Sequence, residues 1–157
     1  MTATQICVQR LYISSGHNFV GHHGQSAATH RIVERGGIHC VAGRGIVDDR
    51  FFNHKENYKG QITFFASEVF DDICRGLGVS GQSPGVLRRN VITAGVDLNL
   101  LIGEEFILQG VRFIGVEECR PCYWMDQALA PGAEAALRGR GGLRARILVG
   151  GRLRIET

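Results

Sequence analysis

Glycine interrupts this sequence every few residues and proline hardly ever does, with 22 glycines against 3 prolines. The apolar runs between the glycines are short. Glycine frees the backbone for turns, and short β-rich runs bounded by turn residues read as strands. Ile6 to Ile13, Ile32 to Arg35, Ile38 to Val41, Gln61 to Phe65 and Val86 to Thr93 are the predicted strands of the first two thirds. Gly43 to Tyr58 reads as a loop anchored by Phe51 and Phe52, and Asp97 to Ile102 as a tight turn or short helix. Glu105 to Leu108 and Val111 to Glu117 form a predicted hairpin through Gln109-Gly110. Near the end, Leu143, Ala145, Ile147 and Val149 alternate with Arg144 and Arg146. Leu153 and Ile155 alternate with Arg152 and Arg154, and Gly150-Gly151 suits a two-residue hairpin turn between the two runs.

Helical periodicity is confined to two places. Val69, Phe70, Ile73 and Leu77 share a face, with Ser67 as the expected N-cap and Gly76 and Gly78 as stops. Ala133 to Leu137 is the other. The predicted class is mainly β (α+β), a closed or nearly closed β-barrel with a few appended helices, as one domain over residues 1–157. No glycine-rich phosphate loop of the dinucleotide or nucleotide-triphosphate type occurs.

At 44% hydrophobic and 21% charged, the chain has ample apolar content for a core, which excludes intrinsic disorder. No apolar run approaches the ~20 residues of a membrane span. No secretory signal is visible, so the expected compartment is the cytoplasm. The net charge is only +3, but sixteen of the eighteen basic residues are arginines, and Lys55 and Lys59 are the only lysines. Guanidinium offers a planar fork of donors that suits phosphate and carboxylate. So modest a charge argues against nucleic acid as the partner.

Five cysteines is an odd number, which argues against a disulfide framework. Cys7, Cys40 and Cys74 lie in apolar stretches and read as small core residues. Cys119 and Cys122 differ. Glu117-Glu118-Cys119-Arg120-Pro121-Cys122 follows a strand end, where Pro121 breaks regular pairing. A cysteine there, beside Arg120, can be exposed in a positive field that favours the nucleophilic thiolate, with Glu117 and Glu118 working against it. The same spacing also fits a redox pair, half a zinc site, or two buried cysteines at a corner. Arg88-Arg89-Asn90 and Arg138-Gly139-Arg140-Gly141-Gly142-Leu143-Arg144 combine donors with flexible backbone, which suits an oxyanion. His17, His22 and His23 in a polar loop are candidate metal ligands or pocket residues. Asp49-Arg50 reads as a turn-shaping pair that could also border a pocket.

In order and spacing these elements resemble the MOSC domain, the module at the C-terminus of molybdenum-cofactor sulfurases that also exists as a stand-alone protein. The resemblance rests on Glu118 to Cys122, Leu137 to Ala145, Gly150-Gly151, Arg88 to Val91, Leu100 to Glu104, and Gly43 to Ile46 with Asp49-Arg50. This chain has Asp48 where the family usually has glycine. The resemblance implies a β-barrel and a reactive cysteine at Cys122, which would carry sulfur or ligate molybdenum, with Cys119 as an auxiliary thiol. It also implies that Arg89, Asn90, Arg120, Arg138, Arg140 and Arg144 hold the cofactor's phosphate or an oxoanion. The chain contains no pyridoxal-phosphate desulfurase domain, so that cofactor would enter only through a partner. The expected partners are a cysteine desulfurase or a molybdoenzyme, together with a small anionic ligand. The resulting expectation is a molybdenum-cofactor-associated sulfur carrier or transferase. The alternatives are a non-catalytic cofactor or oxoanion binder, a zinc protein and a nucleic-acid-binding barrel.

Overall fold

The computed structural model describes residues 2–3, 5–15 and 32–156. Its strands are β1 (Thr2–Ala3), β2 (Cys7–Ser14), β3 (Ile32–Arg35), β4 (Gly37–Val41), β5 (Gly45–Ile46), β6 (Ile62–Ala66), β7 (Val91–Ala94), β8 (Glu105–Leu108), β9 (Val111–Glu118), β10 (Leu143–Val149) and β11 (Gly151–Arg154). The helices are α1 (Ser67–Leu77), α2 (Trp124–Ala128) and α3 (Ala133–Leu137). The fold is mainly β with a few helices. Eight strands form one sheet in the order β1-β8-β9-β10-β6-β7-β2-β3, and β11-β4-β5 form a second. Among the described residues no ladder joins the sheet ends, so the expected barrel closure is not seen.

Two apolar layers hold the sheets. The inner one gathers Phe64, Phe106 and Phe113 with Val8, Leu11, Ile38, Ile46, Leu143 and Leu153. Phe64 meets Phe113 edge-on with ring centroids 5.3 Å apart, and Phe106 stacks on Phe113 at 5.3 Å. The outer layer packs Phe70 and Ile73 of α1, Met125 of α2, and Ala133 and Leu137 of α3 on Phe65 and Ile92. β6 therefore lies between two apolar layers, and all five of its residues are buried. It pairs in parallel with β7, and α1 lies in the crossover between them.

Local departures from the sequence expectations have physical causes. Val86 to Thr93 is not one strand. Pro84–Leu87 makes a 3-10 turn, Arg88 turns left-handed at φ 62°, and only Val91–Ala94 pairs. Ser67 begins α1 but does not cap it: Ala66 holds the N-cap position without a side-chain bond, and Ser67 Oγ donates to Glu68. Gly78 does end that helix, at φ 68°. Gly150-Gly151 is not a hairpin turn. β10 pairs with β9 and β6, whereas β11 crosses to β4 in the other sheet. A Cβ on Gly150 would lie 2.6 Å from the Cys40 carbonyl oxygen, so the corner closes only around glycine. A register shift between Ile147 and Val149 breaks the alternation of β10 and leaves Val149 half exposed.

Candidate functional site

β9 carries the chain to Glu118, where Cys119 and Cys122 follow ahead of α2. The turn is held from several directions. Cys119 N–H donates to the Gly142 carbonyl at 2.8 Å. Arg89, buried, donates through Nε to Gly141 O at 3.0 Å, through Nη2 to Cys119 O at 3.3 Å and through Nη1 to Leu87 O at 3.1 Å. Gly141 fits because it lacks a side chain; a Cβ there would strike Cys119 O and lie 2.9 Å from Pro121 Cδ. Met125 N–H donates to Cys122 O at 2.9 Å and opens α2.

The two cysteines border one cavity of about 170 Å3, which also receives Arg50, Arg88, Arg89, Arg120 and Arg144. Its remaining wall is Phe51, Tyr58, Gly60, Thr63 and Met125. Cys119 is 5% exposed and Cys122 is half-buried; neither is in a disulfide. Arg50 is aimed by the loop before it. Asp49 Oδ1 accepts the Ser14 amide at 3.0 Å, and Arg50 N–H donates to Ser14 O at 2.7 Å. The guanidinium then lies 5.0 Å over the Phe51 ring and donates to Arg88 O at 3.2 Å. Arg88 donates to Ser14 Oγ.

The electrostatics are those of cations crowded together out of water. Burial, and then the charge of Arg50, push the Arg88 guanidinium down to about 10, against the pull of Asp49. Burial also lowers Arg50; Asp49 opposes this and the charge of Arg89 adds to it. Both groups remain charged at neutral pH. For Arg144, burial acts downward but is outweighed by Cys119, Tyr58 and Glu117, so its net shift is upward. Arg50 Nε is buried without a hydrogen-bond acceptor among the described residues. An anion in the cavity would offset the burial of the Arg50 and Arg88 charges.

The sequence-predicted residues divide by position. Cys119, Cys122, Arg89, Arg120, Arg144 and Arg50 meet at this cavity. Asn90 stands behind it, buried. Its Oδ1 accepts from Thr63 N and Oγ1 at 3.0 and 3.1 Å, and its Nδ2 donates to Tyr12 O at 3.1 Å, so it locks β2 to β6. Asp49 is buried in the same way, with its carboxylate on the Ser14 and Phe51 amides. Arg140 points elsewhere, 2.6 Å from Asp72 of α1, and Arg138 is exposed. A larger cleft of about 560 Å3 beside the start of α1 receives Arg140 but neither thiol. His17, His22 and His23 lie outside the described residues. Among the described residues no three His, Cys, Asp or Glu side chains converge on a metal-sized site. Arg88, part of the Arg88-Arg89-Asn90 cluster, also borders the cavity, whereas Tyr58, Thr63 and Met125 are cavity residues that the sequence did not single out. Neither lysine borders the cavity, so nothing there supports a pyridoxal phosphate linkage.

The pattern that defines the MOSC domain matches residues 22–156. The chain belongs to the MOSC domain family. The MOSC domain is associated with molybdenum-cofactor sulfurase-like proteins. In three dimensions this MOSC domain is similar to the YuaD protein from Bacillus subtilis, with TM-score 0.74 and 22% identity over 95% of this chain and 91% of that one. It is also similar to YiiM from Geobacillus stearothermophilus, with TM-score 0.65 and 14% identity over 95% and 71% of the two chains. At such identities the likeness is one of fold. No curated protein sequence matches the chain. Among the described residues no helix is long and apolar enough to cross a membrane.

Proposed function

We propose that this MOSC domain carries sulfur on Cys122, for a molybdenum cofactor or a related metal–sulfur species. The observation that carries the reading is the meeting of the Cys122 thiol with five guanidinium groups around one cavity of about 170 Å3. Binding sites for whole drug-sized molecules run to ~300–1,000 Å3, so this one suits a small anion or the anionic end of a larger ligand. Arg50, Arg88 and Arg144 would hold that end, and Arg120 stands exposed at the rim. Phe51 and Tyr58, stacked with centroids 5.2 Å apart, give the cavity an apolar side.

Loading needs no redox partner. The Cys122 sulfur attacks the outer sulfur of a donor persulfide, the donor's S–S bond breaks, and the donor leaves as a thiol carrying the proton Cys122 gave up. Cys122 then bears the persulfide, and the guanidinium groups stabilise its negative charge. A cysteine desulfurase is the expected donor. A bound cofactor would be held at its anionic end by Arg50, Arg88 and Arg144 and would supply a metal centre able to bind sulfur.

Mass spectrometry after incubation with a cysteine desulfurase and cysteine tests this. The wild-type chain gains one sulfur atom on Cys122, and Cys122→Ser gains none. Equal sulfane-sulfur uptake by the two proteins overturns the reading. A purely binding role would instead show cofactor retained by the wild type, lost in Cys122→Ala, and no sulfur uptake by either.

A further inference from the structure

We propose that Cys119 is the resolving thiol of the pair: it discharges a persulfide on Cys122 as free sulfide and closes a Cys119–Cys122 disulfide. This rests on the carrier reading above and assigns the release step to this chain's own residues.

The geometry separates the roles of the two cysteines. Both border the same small cavity, and only Arg120 and Pro121 lie between them. Cys119 is the fixed member. Its N–H is bonded to Gly142, its carbonyl is gripped by Arg89, and Gly141 is packed against it without room for a side chain. Cys122 is the half-exposed member, where a donor can reach. Arg144 faces Cys119 closely enough to interact with it. A buried cysteine and a partly exposed one, with two residues between them in sequence and bordering the same small cavity, suit thiol–disulfide exchange.

The step balances. The Cys119 sulfur attacks Cys122 Sγ, the bond from Sγ to the outer sulfur breaks, and the outer sulfur leaves with the electron pair and the Cys119 proton as hydrosulfide. The outer sulfur is reduced by two electrons, and the two cysteines are together oxidised by two. An external dithiol returns the disulfide to the reduced pair. Sulfur thus leaves at the oxidation level of sulfide, the form a metal centre binds directly.

The test loads the full chain with inorganic polysulfide, removes the excess, and follows intact mass, peptide linkage and released sulfide. The wild type is expected to release one sulfide per chain, lose two hydrogen masses relative to the reduced protein, and show a peptide joining Cys119 to Cys122. Cys119→Ser, with Cys119→Ala as a second variant in case one folds poorly, keeps the added sulfur on Cys122 until a dithiol is supplied. A wild type that holds its persulfide as long as the Cys119 variants overturns the resolving role and leaves the carrier reading standing. Cys119 variants that fold but never gain sulfur overturn both. Equilibration of the untreated wild type with dithiol/disulfide mixtures provides a sulfur-free check, and failure to form the Cys119–Cys122 linkage there also overturns the proposal.

Discussion

Asp48 holds its backbone at φ 71°, a left-handed conformation in which the Cβ of an ordinary residue crowds its own peptide. The resemblance leads one to expect glycine here, and Asp48 takes up the left-handed turn that glycine adopts without strain. Asp48→Gly is expected to stabilise the protein by about 0.5–1 kcal/mol, read as a higher urea midpoint with an unchanged slope. Cys40 gives a pH-dependent counterpart. Burial pushes its thiol up to about 12. The folded chain therefore keeps a proton that the unfolded chain releases once pH passes the ordinary thiol value, and stability falls as pH climbs from there toward about 12. Between about pH 8 and 10.5 the urea midpoint of Cys40→Ala should decline less steeply than that of the wild type. A parallel decline would assign the alkaline loss to other groups. At this scale the sequence was legible where chemistry is local. The Cys119–Cys122 spacing and Arg144 on an alternating strand are both readable from a few neighbours. Arg140 was not, because its partner Asp72 lies 68 residues away on α1. Asn90 read as a ligand donor, but its amide is consumed in joining Tyr12 to Thr63.

Elements were readable wherever one face was buried and the other wet. The β8–β9 hairpin through Gln109-Gly110, at φ 50° and 81°, follows from that alternation and its turn residues. α2 (Trp124–Ala128) was not read from the sequence, although α3 is equally short. Val86 and Leu87 read as strand because they are apolar, yet they pack in a 3-10 turn where Gly85 lies against the Tyr12 ring. The Gly150 corner shows the same limit. A glycine pair says that the chain bends, but not which strand it meets afterwards. Gly150→Ala is expected to cost about 1–3 kcal/mol, because the new methyl meets backbone at Cys40 and not a side chain that could move. Denaturant titration would show this, and an unchanged midpoint would mean that the corner relaxes freely.

For the molecule as a whole, the strand-rich class followed from glycine punctuation and short apolar runs, whereas sheet order depends on pairings far apart in the chain. The same distances assemble the cavity, whose arginines come from residues 50, 88, 89, 120 and 144. Such a collection of like charges predicts stabilisation by oxoanions. Molybdate at a hundred times its Kd would add ~2.7 kcal/mol, a rise in Tm of roughly 5–10 °C over chloride at equal ionic strength. Arg50→Gln and Arg144→Gln should lose most of that rise. Thermal unfolding with no difference between the two salts would remove the anion site.

β10 lies in the middle of the large sheet, between β9 and β6, although of the described strands only β11 follows it in the chain. During synthesis the ribosome must therefore deliver β1 to β9 before the sheet's central seam can be filled. Until residue 143 emerges, β9 and β6 each present an open edge to any passing neighbour, and Arg144 has not joined the other cations. The nascent chain is thus most exposed to mispairing just before its central seam closes.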